Sequence, residues 1–172
     1  DFFRLKGYFL NHSKSDVVIK LKLPNVKVIE EDGKEVEKIS DHIGEFPLVI
    51  ITPDDKVQLL NESSQRRNFI NKALSQTDRT YLRCLLEYNK ALIQRNTYLK
   101  STNPNNINSL LLQAYDVKMQ PLAAQIYKTR KLYIEELSKL FHQIYEEIAA
   151  EKEIYRLEYS SLLAEKDYLA LA

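Results

Sequence analysis

The sequence predicts an α+β protein in which a partial β-sheet precedes a helical lobe with a long C-terminal helix. Residues 1–60 contain alternating and β-branched apolar runs together with the turn dipeptide Asp32-Gly33. Residues 61–172 instead repeat apolar residues at the spacing of a helix face. A chain of 172 residues suits one domain or two small ones and is long enough to bury a real core.

The β-rich segment, residues 1–60, opens with strand-like sequence. Predicted strands cover residues 2–10, 16–23, 26–29 and 35–39. The last two flank Asp32-Gly33, the dipeptide that tight hairpin turns favour. Ser40-Asp41 can cap a short helical turn before Gly44. Because an open sheet edge must be paired or covered, we expect further strands of this sheet in sequence that is not present here.

Residues 46–51 form a continuous apolar run with β-branched members, bounded by Pro47 and by Thr52-Pro53. Such a run is typical of a short strand that is buried on both faces. We therefore predict a buried strand at this position.

The helical lobe, residues 61–172, should begin with two packed helices. Its predicted helices cover about residues 62–76, 78–100, 108–118 and 121–168. The second helix carries an apolar stripe of Leu82, Leu85, Leu92 and Leu99, with Cys84 as a small buried group beside it. Asn89 and Asn96 interrupt that stripe, and they either set the register with partial exposure or make a contact particular to a family. Asn108 or Ser109 can cap the third helix, and Pro121 fits the first turn of the fourth.

The fourth predicted helix is the longest, and its apolar pattern changes along its length. Every seventh residue is apolar, namely Tyr127, Ile134, Phe141, Ile148, Tyr155, Leu162 and Leu169. A companion position begins with Leu137 and Ile144 but turns acidic at Glu151, Glu158 and Glu165. The first half should therefore bury a wide face and the second half a narrow one. Either the helix packs on its neighbours and then projects, or it enters an intermolecular coiled coil, although the a/d repeat is not sustained.

The formal net charge is +1, but basic residues concentrate in the centre of the chain. Residues 61–118 hold 9 Lys and Arg against 4 Asp and Glu, whereas residues 1–60 hold 9 against 11 and residues 119–172 hold 7 against 9. This patch is weaker than that of a dedicated DNA-binding domain. Arg66 and Arg67 lie in the first turn of a predicted helix, where positive charge opposes the macrodipole. An internal carboxylate or an acidic partner such as a phosphate is therefore expected beside them.

Cysteine and histidine usage argues against several kinds of site. Cys84 is the only cysteine, so a disulfide framework and a cysteine-based zinc site are excluded and a reducing cytosolic setting fits. The histidines, His12, His42 and His142, are far apart and lack metal-ligand spacing. Ser, His and Asp are too scattered to suggest a hydrolytic triad.

Glycine usage and hydropathy exclude two further classes. The three glycines are Gly7, Gly33 and Gly44, so no glycine-rich phosphate loop can lie in the helical part. No catalytic, cofactor-binding or metal-ligating residue is therefore predicted in this chain. No apolar run approaches the roughly 20 residues that a bilayer-spanning helix needs.

Three motifs follow one another in the middle of the chain. They read Pro53-Asp54-Asp55, then Gln65-Arg66-Arg67-Asn68-Phe69-Ile70-Asn71, then Tyr88-Asn89-Lys90-Ala91-Leu92-Ile93-Gln94-Arg95-Asn96. In this order and spacing they resemble the middle of bacterial RecF, a recombination and gap-repair ATPase related to the SMC and Rad50 heads. The residues that carry the resemblance include Pro53, Asp54, Asp55, Phe69, Asn89, Gln94, Arg95 and Asn96. Asn68 stands where that family often has a third Arg, and Asn71 where it usually has Asp.

The resemblance implies the edge of an ABC-type ATPase lobe for residues 1–60 and a helical lobe that helps to form a DNA clamp for residues 61–172. The phosphate loop, signature and second acidic motif would lie outside this chain. ATP and magnesium are therefore implied for the parent protein only, and the chain alone is not expected to be an enzyme.

The resemblance also implies a setting and partners. The implied location is the bacterial cytoplasm. The implied processes are replication-coupled recombinational repair, the response to DNA damage and the SOS response. Its partners would be DNA at gaps and junctions, recombination mediator proteins and a second copy in an ATP-dependent homodimer, with no membrane. The basic residues expected to face DNA or the opposite lobe are Arg66, Arg67, Arg79, Arg83, Arg95 and Lys100.

Two other functions remain open from the sequence. One is a helical protein-interaction module without direct DNA contact, in which the long helix docks a partner. The other is a different SMC-like or Rad50-like ATPase, although the helical insertion here is compact where those proteins carry long coiled coils.

Overall fold

The computed structural model of the chain describes residues 2–10, 15–24, 26–149, 157–164 and 168. A small antiparallel sheet is followed by helices, which confirms the predicted α+β architecture. The chain divides into two compact units, Asp1–Val49 and Ile50–Ala172. The division falls before the predicted boundary at residue 60, because residues 53–61 form a helix.

The sheet of the first unit is a four-stranded antiparallel meander in the order β1-β2-β3-β4. Its strands are β1 (Phe2–Phe9), β2 (Ser15–Lys22), β3 (Val26–Glu31) and β4 (Lys34–Glu35). Ile19 pairs with Leu5 on one side and with Ile29 on the other. Val17, Val18 and Ile29 are the buried apolar residues of this sheet. A short helix, α1 (Ile39–His42), follows β4, close to where a helical turn was predicted, although its N-cap is Lys38.

The β3–β4 hairpin turns at Asp32-Gly33, as the dipeptide predicted. Both residues have positive φ, 49° for Asp32 and 77° for Gly33, which is the backbone geometry of the tight turns that match strand twist. Asp32 also ties the turn to β2, since its Oδ1 accepts from the Asp16 backbone N–H at 2.8 Å and its own N–H donates to the Asp16 carbonyl at 2.9 Å. The positive φ of the dipeptide therefore forms the turn, and the two hydrogen bonds attach the turn to β2.

The prediction of a buried strand at residues 46–51 is wrong for this chain. Residues 47–52 have no regular secondary structure, and Leu48, Val49, Ile50 and Ile51 are 63–80% exposed. A strand needs a neighbouring strand to pair its backbone groups, and among the described residues none lies beside this run. The apolar composition that suggested burial is thus left facing solvent.

The described residues of the second unit form four α-helices. They are α2 (Pro53–Asn61), α3 (Ser63–Thr77), α4 (Arg79–Ser101) and α5 (Ser109–Ile148). Pro53 occupies the first helical position of α2, and the preceding Thr52 donates through both its backbone N–H and its hydroxyl to Asp55 Oδ2 at 2.7 Å. These two hydrogen bonds lower the pKa of the Asp55 carboxyl.

One residue, Asp78, separates α3 from α4 and serves both. Its backbone N–H donates to the Leu74 carbonyl at 2.8 Å, which closes the end of α3. Its side-chain Oδ1 accepts from the N–H groups of Thr80 and Tyr81 at 2.8 and 2.9 Å, which caps the start of α4. The two helices are therefore joined by a single residue, without a loop.

Helix α5 corrects the predicted division into helices 108–118 and 121–168. Asn108 caps it as predicted, accepting from Leu110 and Leu111, but the helix continues unbroken past Pro121. Burial of Met119, Ala123 and Ile126 around the proline offsets the lost backbone hydrogen bond.

Helix α5 also ends earlier than predicted, at Ile148, and residues 157–161 are not helical. The predicted positions Glu151, Tyr155, Glu165 and Leu169 lie outside the described residues.

The core of the second unit is formed by α3, α4 and α5. Leu74, Tyr81 and Ile126 are its buried centre, and Cys84 and Leu85 pack against them as the leucine stripe predicted. Asn89 and Asn96 are both exposed, which agrees with the alternative of partial exposure at the edge of that stripe. Within the described part of the chain, no helix is both long and apolar enough to span a membrane.

Candidate nucleic-acid interface

The outer face of α4 carries a row of basic side chains. Arg79, Arg83 and Lys90 are spaced so that they share one side of the helix, and all three are exposed. The opposite side carries the buried Tyr81 and Leu82. Lys90 lies inside the third motif but was not among the predicted contacts. Helical spacing from Arg79 was the signal that could have identified it.

Acidic side chains near this row are largely engaged inside the protein. Residues 61–118 hold 4 acidic residues, and 3 of them bond within the unit. Glu62 accepts from the Ser64 hydroxyl, Asp78 caps α4, and Asp116 pairs with Arg95. The fourth, Glu87, is exposed on α4 between Arg83 and Lys90, so the row keeps three positive charges and one negative charge, and its net positive charge is what a phosphate backbone attracts.

Arg66 has a role that the sequence did not predict. Its Nη1 donates to the carbonyl oxygens of Leu59 at 3.0 Å and Leu60 at 3.3 Å, near the end of α2. A guanidinium bonded to the last carbonyls of a helix satisfies their hydrogen-bonding capacity and complements the helix dipole. Among the ion pairs of the described residues Arg66 has none, so the predicted internal carboxylate is replaced by backbone carbonyls.

Arg95 is held between α4 and α5. Its Nε donates to Asp116 Oδ1 at 2.8 Å and its Nη2 to Asp116 Oδ2 at 3.5 Å, and the two side chains are only 19% and 12% exposed. This bidentate ion pair connects α4 to α5. The partner is 21 residues away, so no local sequence pattern pointed to it.

The remaining predicted residues are on the surface. Arg67 is exposed and lines a cavity between α3, α4 and α5, while Lys100 is exposed in the last turn of α4, where its charge complements the helix dipole. In the family motifs, Asp54 and Asp55 lie in the first turn of α2. Phe69 and Gln94 are exposed. The structure therefore brings Arg79, Arg83 and Lys90 together and directs Arg66 and Arg95 to internal contacts.

A second polar cluster centres on Arg130 of α5 and was not found from the sequence. Arg130 Nε donates to Tyr81 Oη at 3.0 Å and Nη2 to Asn71 Oδ1 at 2.8 Å, while Tyr81 Oη donates to the same Asn71 oxygen at 2.7 Å. Burial raises the pKa of the Tyr81 phenol, and the hydrogen bond from Arg130 acts in the opposite direction. Burial disfavours the charge of Arg130, but its hydrogen bonds with Tyr159 and Tyr81 outweigh that effect and raise its pKa.

Solved structures share this fold. The chain superposes on the recombination mediator protein RecF with ATP with a TM-score of 0.84, at 26% identity, over 99% of this chain and 49% of that one. A second RecF structure, described as RecF-ATPrS in the RecFOR pathway, gives a TM-score of 0.78 at 29% identity over 88% of this chain and 42% of that one.

Curated proteins match over most of the chain. The DNA replication and repair protein RecF of Porphyromonas gingivalis is 36% identical over 163 residues, which are 94% of this chain and 44% of that protein. RecF of Flavobacterium johnsoniae is 36% identical over 162 residues, again 94% of this chain and 45% of that protein. No family model matches the chain.

Fold and sequence together define a class, the DNA replication and repair proteins. Within that class the chain belongs to the RecF family, as its three motifs suggested. It spans less than half the length of the curated relatives that it matches.

Gly33 lies in the β3–β4 hairpin and Gly44 lies two residues after the end of α1, and neither is part of a glycine-rich loop that opens a helix. In the described part of the chain no three His, Cys, Asp or Glu side chains gather as metal ligands.

Proposed function

We propose that this chain is the helical lobe and adjoining sheet of an ATP-dependent DNA-binding protein of replication and recombinational gap repair. In this function the α4 basic face (Arg79, Arg83 and Lys90) contacts the phosphate backbone when the parent protein clamps DNA. The single observation that carries the proposal is that face, exposed on a fold shared with RecF. Contacts to phosphate give affinity without sequence readout, which suits a protein that acts at gaps and junctions of any sequence.

Several parts of the proposal concern the parent protein. ATP and magnesium would bind in sequence outside the matched segment, and an ATP-dependent homodimer would form the clamp in the bacterial cytoplasm. Recombination mediator proteins would be its partners, as the RecFOR description of the solved structure suggests for that protein. Arg67 and Lys100 stay predicted contacts with DNA or with the opposite lobe.

Head assembly is the second part of the proposal, and the exposed run at residues 48–51 supports it. Four consecutive exposed apolar residues of strand-like sequence would form a strand once a neighbouring strand were present. The exposed Phe2, Leu5 and Tyr8 of β1 show that the sheet also has apolar surface to cover. The ATPase lobe of the parent would supply those neighbours.

DNA binding by the α4 basic face can be tested by fluorescence anisotropy on single-stranded, duplex and gapped DNA at two salt concentrations. We expect non-specific binding that weakens with salt, with a Kd on the order of 10⁻⁴–10⁻⁶ M. The variant Arg79→Gln/Arg83→Gln/Lys90→Gln should reduce the slope of log K against log salt by about 2–3, because up to three phosphate contacts are lost.

The matched control is Lys22→Gln/Lys27→Gln/Lys34→Gln, which removes the same charge from the sheet of the first unit. If the two triple variants lost equal DNA affinity, the effect would come from net charge alone, and a role for the α4 basic face would be refuted. Arg66 is left intact in both variants, since its removal would also disturb the end of α2.

An apolar groove favours one alternative function, a protein-interaction module without DNA contact. A cavity of about 480 Å³ is lined mainly by apolar side chains, together with one acidic and one basic residue, namely Ile50, Ile51, Leu59, Leu60, Phe69, Asp55 and Lys72. Such a groove fits an apolar peptide segment. The anisotropy series separates the two functions, because this module would show no salt-dependent affinity for any of the three DNAs.

A further inference from the structure

We propose that the cavity between α3, α4 and α5 is a binding site for a phosphate group, held by Arg130 and Arg67. This Arg130 cavity has a volume of about 450 Å³. Its polar lining includes Arg67, Asn68, Asn71, Asn89, Arg130 and Tyr159. The site is separate from the α4 basic face and does not rest on the proposed DNA function.

The first argument is the unbalanced charge of Arg130. Its hydrogen-bond partners, Asn71, Tyr81 and Tyr159, are all neutral, and it appears in none of the ion pairs of the described residues. The half-buried guanidinium therefore carries a positive charge that no carboxylate of the described residues balances. An anion in the cavity would balance that charge.

The second argument is the charge of the residues that line the Arg130 cavity. Arg67 from α3 and Arg130 from α5 contribute two positive charges, and no acidic residue is among the described residues that line the cavity. The amides of Asn68 and Asn89 add hydrogen-bond donors. Guanidinium groups together with amide donors match the several oxygens of a phosphate, and the volume lies in the range of small-ligand sites.

The third argument is that Arg130 is already held in place. Asn71 Oδ1 accepts from both Arg130 and Tyr81, and Tyr81 is fully buried at 0% exposure. A guanidinium fixed through its Nε and Nη2 loses little further freedom when a ligand binds to its remaining N–H groups. The network therefore positions a donor toward the cavity before any anion arrives.

The test follows the arginine Nε–H signals of the 172-residue chain by NMR while inorganic phosphate is added at constant ionic strength. We expect saturable shifts of the Arg130 and Arg67 signals, with a Kd on the order of 1 mM, and at least about tenfold weaker binding in Arg67→Gln and in Arg130→Gln. Lys118→Gln, which removes one positive charge from the exposed surface of α5 away from the cavity, should bind as the wild type does.

Arg67 is exposed, so its variant reports on binding even if Arg130→Gln impairs folding. A parallel titration with a thymidine dinucleotide, which contains one backbone phosphodiester, identifies the source of the phosphate. Preference for the dinucleotide would assign the site to nucleic acid, and preference for inorganic phosphate would assign it to a free or terminal phosphate. Absence of shifts for both probes up to about 50 mM, or equal weakening in Lys118→Gln, would overturn the proposal.

Discussion

At the residue scale, the side chain of Asn71 determines whether the charge of Arg130 is balanced inside the protein. Asn71 stands where the resembled motif usually has Asp, and its Oδ1 accepts from both Arg130 and Tyr81. An amide oxygen satisfies these donors but does not neutralise the guanidinium. The sequence could show the substitution, but Arg130 is 59 residues away, so its consequence became visible only in the fold.

Asn71→Asp should therefore stabilise the protein and close the phosphate site. A carboxylate at this position would form a charge-assisted hydrogen bond with Arg130, and we expect about 1–2 kcal/mol more free energy of unfolding together with loss of phosphate binding. Urea denaturation and the NMR titration measure the two effects. Asn96→Asp on exposed α4 surface is the control, and similar gains in both variants would contradict a specific pairing with Arg130.

The buried Tyr81 phenol makes stability depend on alkaline pH. Because its pKa is raised in the folded state, this group contributes stability that is present below the unfolded pKa of about 10 and lost as pH rises through the folded pKa. Above about pH 10 the free energy of unfolding should fall by at most about 1.4 kcal/mol per pH unit for this proton. Denaturant titrations between about pH 9 and 11 measure it.

Tyr81→Phe is the matched variant and should flatten that pH dependence. A residual slope is expected, since burial also raises the pKa of Tyr168. An unchanged slope in Tyr81→Phe would show that other groups dominate the alkaline loss.

At the element scale, the ends of helices were easier to predict than their continuity. Asn108 caps N–H groups within three residues, and Asp32-Gly33 turns through the positive φ of its own two residues, so both features have a local signal in the sequence. The continuation of α5 through Pro121 depends instead on burial against α3 and α4, which no window of sequence contains. The prediction of a strand at residues 46–51 is wrong for the same reason, because the pairing of one strand with another depends on residues far away in the chain.

Asp78 provides a test at this scale, since one side chain caps α4 while its backbone closes α3. Asp78→Ala should lower the free energy of unfolding by about 1 kcal/mol, because two N–H groups lose their acceptor. Asp78→Asn keeps a capping oxygen and should stay within a few tenths of a kcal/mol of the wild type. Circular dichroism at increasing urea measures both, and equal losses would assign the effect to charge instead of capping.

At the scale of the whole molecule, a sheet followed by helices, the family and the basic centre were predictable. Which basic residues touch DNA stays a prediction. Arg67, Arg79, Arg83 and Lys100 are exposed as a contact requires, while Arg66 and Arg95 make internal contacts. Composition gives the number of charges in a segment, but only packing determines which of them reach solvent.

The length of α5 has a mechanical consequence. Tyr133 still packs against the core, and the helix continues to Ile148, about 22 Å further at a rise of 1.5 Å per residue. Leu140, Phe141 and Ile144 on that extension are exposed. A tilt of about 10° at the packed end would displace the far end by about 4 Å over this length. The helix is thus a lever arm, through which a small change in the packing of α3, α4 and α5 becomes a large displacement at its tip.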